Sequence, residues 1–130
     1  MARTKVIIYK PVLTEYLKSP KGQVGQYLEK RGKRVITAAR AQVGKKTGHL
    51  AASIHMRQYP TALGQEMTIG SRLRHALPHH EGTKPHRIVA RKAQVLRFTS
   101  GGRVIYTRSV MHPGTRPNRY LSDNLILVLL

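Results

Sequence analysis

The sequence predicts an α+β fold: a small antiparallel sheet with a long hairpin packed against one long amphipathic helix, plus a short C-terminal helix. Three observations predict it: a proline-free stretch with helical periodicity at 23–43, two β-type runs around Ser100-Gly101-Gly102, and an apolar stretch near the end of the chain. With 130 residues, the chain suits one domain. We therefore expect a single domain over 1–130, with an N-terminal arm at 1–20 and a C-terminal segment at 118–130.

The stretch 23–43 is predicted to be one amphipathic helix with a basic outer surface. It contains no proline, and Gly44 supplies a stop at its C-terminal end. Gly32 weakens its middle by about 1 kcal/mol relative to alanine. The apolar positions recur at spacings near three or four residues, as on one face of a helix: Val24, Tyr27, Leu28, Val35, Ala38, Ala39 and Val43.

Four shorter runs downstream predict strands. Ser53–Tyr59 and Glu66–Gly70 flank a turn in the first half of the chain. Gln94–Thr99 and Arg103–Val110 flank Ser100-Gly101-Gly102, which is the best hairpin signal in the sequence. We therefore expect two antiparallel pairs of strands.

The other segments are assigned from their prolines, glycines and apolar runs. The stretches 75–87 and 112–118 contain both proline and glycine and are predicted to be loops. Residues 120–130 are expected to form the terminal helix. Residues 6–18 combine a short apolar run with a proline, and their conformation stays ambiguous at this level.

The charge sets this chain apart from an ordinary domain. It has 24 Lys and Arg against 5 Asp and Glu, a formal net charge of +19. Such an excess repels itself, so we expect an acidic partner: nucleic acid first, because phosphates attract Lys and Arg regardless of sequence, and an acidic protein second. Contact with DNA would involve phosphates without base reading. The candidate residues lie on and just after the predicted helix: Lys30, Arg31, Lys33, Arg34, Arg40, Lys45 and Lys46.

No catalytic residue, cofactor or metal site is predicted. The five carboxylates form no paired motif, and no Walker loop, G-x-S-x-G or G-x-G-x-x-G is present. His75 and His79 have zinc-like spacing, but Pro78 between them disfavours a regular helical face. We therefore interpret the histidines around Glu81 as loop side chains and expect the protein not to be an enzyme.

The chain has no cysteine and no long apolar segment. Disulfides and thiolate zinc sites are therefore excluded. The run Val6-Ile7-Ile8 is shorter than a secretion signal, and Leu125–Leu130 is shorter than the roughly 20 residues that span a bilayer. We expect a soluble protein, made in the cytoplasm, without membrane association.

A four-residue pattern, G-T-basic-P, occurs twice. It reads Gly82-Thr83-Lys84-Pro85 before the second pair of strands and Gly114-Thr115-Arg116-Pro117 after it. Because an antiparallel hairpin brings its outer ends together, we expect the two loops to lie near each other. Two independent turns are the alternative, since glycine, threonine and proline are common in turns.

Several segments, taken in order, resemble small neck and tail-component proteins of tailed phages. Lys46–Ile54 is similar to a "T-G-x-L-x-x-S-I" segment of that family. His80–His86 resembles its "E-x-G-T-x-P" loop, without the residue between Glu and Gly, and His112–Asn118 resembles its "H-P-G-T-x-P" loop. Tyr120-Leu121 is similar to the start of the family's last helix. The resemblance covers roughly 46–125.

The resemblance implies a structural virion protein: a ring-forming head–tail connector, tail-completion or tail-terminator subunit that joins capsid to tail around the DNA channel. It implies a homo-oligomeric ring, with six copies preferred over twelve, beside head-closure or adaptor proteins and tail proteins. Genomic double-stranded DNA would pass through the ring without sequence-specific contact. The protein would be made in the host cytoplasm and located in the neck of the virion.

Candidate subunit contacts follow from the two loops and the C-terminal segment. Glu81 and His112 are expected to pair with Arg74, Arg87 or Arg116 of a neighbouring subunit, and the apolar C-terminal segment is expected to be an assembly element. A segment tucked wholly into its own domain is the alternative. The candidate contact residues are Glu81, Gly82, Thr83, Pro85, His112, Pro113, Gly114, Thr115, Arg116, Pro117, Tyr120, Leu125, Ile126 and Leu129.

Two other functional classes were weighed against this one. A monomeric basic nucleic-acid-binding protein, of ribosomal or nucleoid type, is favoured mainly by the charge, which does not separate it from the ring-forming subunit. A hydrolase or nuclease is favoured only by the histidine cluster. The exposed apolar end expected at 125–130 favours the ring-forming subunit, because an apolar surface of that kind requires a partner.

Overall fold

The computed structural model describes residues 6–44 and 46–130. It contains four α-helices, six strands and a final 3₁₀ helix, which we label in chain order. They are α1 Lys10–Lys18, α2 Gln23–Gln42, α3 His49–Ser53, β1 His55–Pro60, β2 Gln65–Gly70, α4 Ala76–Glu81, β3 His86–Val89, β4 Leu96–Ser100, β5 Arg103–Thr107, β6 Ser109–His112 and the 3₁₀ helix Ser122–Val128.

The predicted α+β class is confirmed. The long helix α2 begins and ends within a residue of the predicted 23–43, and the terminal helix is present as a 3₁₀ helix. All the strands pair in antiparallel ladders, with β1 against β2, β3 against β6, and β4 against β5. Among the described residues, these are three separate two-stranded sheets rather than one small sheet.

One segment differs from its prediction and one ambiguous segment has a defined structure, and each contains a helix with a proline near its start. The stretch 75–87, predicted to be a loop, contains α4 and β3, and the ambiguous 6–18 contains α1. Pro78 is the third residue of α4 and Pro11 the second residue of α1. The first N–H groups of a helix have no acceptor within the helix, so a proline at these positions removes no hydrogen bond.

The chain groups into two compact units, where the sequence predicts one domain over 1–130. The first unit is Met1–Ala76 with Arg119–Leu130, and the second is Leu77–Asn118. The first unit contains the hydrophobic core, in which α2 and α3 meet the start of β1 and the chain after Asn118. The core residues are Ile36, Ala39, Val43, Leu50, Ile54, Ala76 and Tyr120.

The hairpin β1–β2 packs against α2 at a glycine. A Cβ on Gly32 would lie 2.5 Å from Met67 Sδ and 3.0 Å from Met56 Sδ. Gln58, on β1, donates from Nε2 to the carbonyl oxygen of Gly25, at 2.9 Å. Gly32 therefore lowers the intrinsic helix propensity of α2 but allows the methionines of the hairpin to reach the helix backbone.

The second unit is built differently. It consists of the end of α4, the strands β3–β6 and the two G-T-basic-P loops, and the structure describes all of its residues. None of them is fully buried. Its order therefore depends on backbone ladders and on contacts between the loops.

In the described parts of the chain, no helix combines the length and the apolar character that a membrane crossing requires.

Candidate interaction surfaces

The two G-T-basic-P loops are paired with each other. Thr83 and Thr115 exchange two backbone hydrogen bonds, with N to O distances of 3.1 Å in both directions. Their hydroxyl oxygens lie 3.1 Å apart, and the Thr115 N–H also lies 3.1 Å from Thr83 Oγ1. The expectation that the two loops lie near each other is confirmed. We call Gly82–Pro85 and Gly114–Pro117 the loop pair.

The loops meet because the ladder between β3 and β6 ends beside them. His86 lies opposite His112 in that ladder, and their rings stack with centroids 5.1 Å apart. The chain enters β3 from the first loop and leaves β6 toward the second, so the register brings Thr83 opposite Thr115. The Gly114 N–H then donates to His112 Nδ1 at 3.0 Å, which fixes the start of the second loop.

Both loop glycines are required by the backbone. Gly82 has φ +77° and Gly114 has φ +88°, in the left-handed region that favours glycine. A Cβ on Gly82 would lie 2.6 Å from the Thr115 carbonyl oxygen, and one on Gly114 would lie 2.2 Å from that of Thr83. These two candidates therefore hold the loops together, and they expose little surface to a partner.

The outer side chains around the loop pair are accessible. Thr83, Gly82, Gly114 and His112 are half-buried, whereas the exposed candidates form the outer surface of the pair. Those exposed candidates are Glu81, Pro85, Pro113, Thr115, Arg116 and Pro117. The loop pair thus offers a rigid surface with both an acidic and a basic side chain at its edge.

His79 and Asn118 were not among the predicted site residues, yet they anchor the second loop. The Asn118 N–H donates to the His79 carbonyl oxygen at 3.1 Å, and Asn118 Nδ2 lies 3.3 Å from His79 Nε2. In the sequence, Asn118 follows Pro117 at the end of a loop, as is common for turn residues. Its partner, 39 residues away, could not be identified without the fold.

The C-terminal 3₁₀ helix has one packed side and one exposed side. Leu121, Leu125 and Val128 line an apolar groove together with Leu28 and Val35 of α2, and Leu121 and Val128 are half-buried there. Polar contacts fix the helix to the end of α2, since Gln42 Nε2 donates to Asp123 Oδ2 at 3.1 Å and Asn124 Nδ2 donates to Gln42 Oε1 at 2.7 Å.

Four exposed residues on and after this helix form the C-terminal apolar surface, which we define as Leu125, Ile126, Leu129 and Leu130. Their exposed fractions are 53%, 57%, 78% and 71%. Three of these residues were predicted as contacts, and they are accessible to a partner. Val128 is half-buried while Ile126 and Leu129 are exposed, so the segment is not tucked wholly into its own domain, and its role in assembly stays a prediction.

Tyr120 does not belong to this surface. It was a candidate subunit contact, but its side chain is only 1% exposed and packs in the core of the first unit. Its hydroxyl lies 3.5 Å from the Ala76 carbonyl oxygen, at the outer limit of a hydrogen bond. Burial raises the pKa of the Tyr120 phenol, because the low-polarity core disfavours the phenolate.

A second apolar surface lies on and before α1. The α1 helix has no buried residue, and Val12, Leu13 and Tyr16 on it are 67%, 44% and 49% exposed. The preceding residues are also exposed, from 59% for Ile7 to 79% for Val6. We call residues 6–16 the N-terminal apolar surface. The sequence analysis did not predict this surface. The available signal was the run Val6-Ile7-Ile8 followed by Val12 and Tyr16, which are four residues apart.

The basic residues of α2 are less available than their number suggests. Lys33 Nζ pairs with Glu29 Oε1 at 2.6 Å, and Arg40 donates to the Ile54 carbonyl oxygen at 2.8 Å. The guanidinium of Arg31 lies over the Tyr27 ring, 4.9 Å from its centroid. The other described candidates, Lys30, Arg34 and Lys46, are exposed, and the candidate Lys45 lies outside the described residues.

The histidines around Glu81 do not converge. Over residues 6–44 and 46–130, no group of three or more His, Cys, Asp or Glu side chains is arranged to hold a metal ion. His86 Nδ1 donates to the Lys84 carbonyl oxygen at 2.9 Å, and its ring stacks on His112. In this structure His86 and His112 serve to hold the loop pair.

The surfaces described above are the basis for assigning a function. Comparison of the chain with protein-family models, curated proteins and solved structures gave no match.

Proposed function

We propose that this chain is a structural subunit of the tailed-phage neck, a ring-forming head–tail connector or tail-completion protein that surrounds the DNA channel. The observation that carries the proposal is the pair of exposed apolar surfaces on the first unit, the N-terminal apolar surface and the C-terminal apolar surface. The resemblance of 46–125 to small neck proteins names the assembly in which such surfaces would be covered.

The apolar surfaces support self-association because isolated domains rarely expose contiguous apolar patches. Leu129 and Val6 are each more than 75% exposed, and the core of the same unit leaves them uncovered. Covering one large aliphatic side chain completely contributes about 1.5–3 kcal/mol. Several such side chains on each subunit would offset the mutual repulsion of chains that each have a net charge of +19.

The loop pair supports the same proposal. Its backbone hydrogen bonds and positive-φ glycines fix its shape before any partner arrives, which lowers the entropy cost of binding. Glu81 and Arg116 are exposed at its edge, so neighbouring copies could pair one with the other in a closed ring. Six copies are preferred over twelve, as the resemblance implies, with head-closure or adaptor and tail proteins as further partners.

The test is the mass of the protein in solution when the C-terminal apolar surface is changed. Ile126→Ser with Leu129→Ser removes two exposed apolar side chains and leaves the half-buried Leu121 and Val128 in place. We expect the variant to fold as the wild type does but to sediment as a monomer where the wild type forms rings. Leu63→Ser is the matched control, because Leu63 is 94% exposed and lies outside both apolar surfaces.

Three results would contradict the proposal. The wild-type protein could be monomeric at all concentrations, the Leu63→Ser variant could lose assembly to the same extent, or the protein could be absent from the neck in images of intact virions. A monomer that binds RNA or DNA tightly would favour the alternative, a monomeric basic nucleic-acid-binding protein, which is supported by the exposed Lys30, Arg34 and Lys46.

The proposal includes the absence of catalytic turnover. It is supported by the sequence, which lacks a paired carboxylate or a nucleophile motif. Metal-dependent nuclease activity of the purified protein that disappears in Glu81→Ala or His80→Ala would overturn it.

A further inference from the structure

The most basic element of the described chain is not α2 but the pair of strands that follows the first loop. Residues 86–112, which we call the basic ribbon, include six Lys and Arg and no Asp or Glu. All six basic side chains are exposed. They are Arg87, Arg91, Lys92, Arg97, Arg103 and Arg108.

The ribbon is one two-stranded element with an interruption. The β3–β6 ladder and the β4–β5 ladder are formed by the same two chain segments, and the Ala90 N–H donates to the Arg108 carbonyl oxygen between them, at 2.9 Å. Residues 90–95 separate the ladders on one strand, opposite Arg108 alone on the other. This bulge contains Arg91 and Lys92, so it adds positive charge at the middle of the ribbon.

In the described chain no ribbon arginine forms a salt bridge, whereas on α2 Lys33 does. Arg87 donates to Ser109 Oγ at 2.9 Å, and Arg97 Nε donates to the Tyr106 hydroxyl at 3.3 Å. Both acceptors are neutral, so these bonds orient the guanidinium groups without neutralising them. On α2, by contrast, Lys33 Nζ is paired with the Glu29 carboxylate, at 2.6 Å.

The charges lie on both faces of the ribbon as well as at its bulge. Arg97 lies opposite Tyr106 in the ladder, on one face, whereas Arg103 lies opposite Ser100, on the face of Phe98 and Ile105. A flat acidic protein surface could meet only one of these faces. The major groove of duplex DNA admits a two-stranded ribbon and has a row of phosphates along each side.

We propose that the basic ribbon, and not α2, is the surface through which this protein contacts the phosphates of duplex DNA. The contact is electrostatic and reads no base sequence, because Arg and Lys attract phosphates whatever the base pairs. The inference rests on the proposed function only in naming genomic DNA as the ligand in the virion. The binding itself is a property of the free chain.

The experiment compares two variants of the full chain that each lose four positive charges. The ribbon variant combines Arg91→Gln, Lys92→Gln, Arg103→Gln and Arg108→Gln, whose side chains make no hydrogen bond in the described chain. The matched control combines Lys30→Gln, Lys33→Gln, Arg34→Gln and Lys46→Gln. For each protein, the dissociation constant for a fluorescent random-sequence duplex is measured across a range of salt concentrations.

The ribbon variant is expected to reduce the slope of log affinity against log salt by about 3 to 4 units, at roughly 0.9 per lost phosphate contact. The control is expected to change it by less than about 1 unit. A third variant, with Arg91→Lys, Arg103→Lys and Arg108→Lys, should retain the wild-type slope because the slope reports charge. If the third variant also loses slope, the effect comes from misfolding and the inference is overturned.

Two further outcomes would overturn the inference. One is a salt-dependence slope that falls as much in the α2 control variant as in the ribbon variant, or more. The other is a wild-type protein that fails to bind duplex at low salt, which would leave an acidic protein as the counterpart of the ribbon. Sedimentation of the same samples separates this test from that of the proposed function. If the wild-type protein is a monomer but the ribbon variant has a reduced salt-dependence slope, the ring-forming function is refuted while DNA contact through the basic ribbon is supported.

Discussion

The two compact units hold their structure by different means. The first, Met1–Ala76 with Arg119–Leu130, has a core in which Val35, Ala39 and Ile54 are fully excluded from solvent. The second, Leu77–Asn118, has no fully buried residue and depends on two short ladders, one stacked pair of histidines and the loop pair. An isolated two-stranded hairpin is marginally stable in water, so the second unit needs the contacts of the loop pair in addition to its ladders.

We therefore expect the two units to have different roles in the proposed assembly. The first unit has a buried core of its own and two exposed apolar surfaces that other subunits could cover. The second unit gains most by binding something, because a partner or a polyanion would supply the contacts and counter-charge that its own residues lack. Mutations in the two units should therefore affect different observables.

The largest effect is expected from removing core volume in the first unit. Ile54→Ala should lower the free energy of unfolding by about 2–5 kcal/mol, because Ile54 is 0% exposed and its loss leaves a cavity. The measurement is denaturant unfolding followed by circular dichroism. Leu96→Ala in the second unit is the matched control and should cost less, since Leu96 is only half-buried. Equal losses would refute the contrast between the units.

A smaller and more local effect is expected at the loop pair. Gly82→Ala should destabilise the second unit by about 2–4 kcal/mol, because alanine at this positive φ is strained and its Cβ would clash with the Thr115 carbonyl oxygen. The clash would also weaken the hydrogen bonds between Thr83 and Thr115. Hydrogen exchange at the Thr83 and Thr115 amides measures this loss, and protection in α2 should not change.

Gly102 offers a matched control for Gly82. It has the same φ of +77°, but no atom lies within 4 Å of an added Cβ. Gly102→Ala should therefore cost only the backbone strain, about 1–2 kcal/mol, and leave exchange at Thr83 and Thr115 unchanged. If both substitutions open the loop pair equally, the contact between the loops is not what holds the second unit together.

The smallest effect is expected at Tyr120, and it depends on pH. Because burial raises the pKa of this phenol above its ordinary 10.0, the unfolded chain releases the proton first, and the free energy of unfolding should fall as pH rises above 10.0. Tyr120→Phe removes this contribution, so its stability should fall less steeply in alkaline solution. At neutral pH it should be less stable than the wild type by about 0.5–1.5 kcal/mol, because the hydroxyl loses its hydrogen bond to the Ala76 carbonyl oxygen. Parallel pH profiles for the two proteins would show that Tyr120 ionises as it does in water.

The sequence alone determined those structural elements that are encoded by residues close together in the chain. The period of α2, the turn at Gly101-Gly102 and the apolar character of 125–130 are encoded in neighbouring residues, and each appears in the structure close to its predicted bounds. The repeated G-T-basic-P pattern, with its place on either side of a hairpin, even predicted that two loops 32 residues apart would meet. Antiparallel pairing of the two strands brings residues on either side of a hairpin close together in space.

The tertiary structure alone decided which of these residues are available to a partner. The sequence could not show that Tyr120 is buried while Ile126 and Leu129 are exposed, because all three are apolar and the outcome depends on how much core α2 offers. Nor could it separate the basic residues of α2, of which Lys33 pairs with Glu29, from those of the ribbon, which form no salt bridge within the described residues. Burial and charge pairing depend on distances between residues far apart in the chain, and only the folded chain sets those distances.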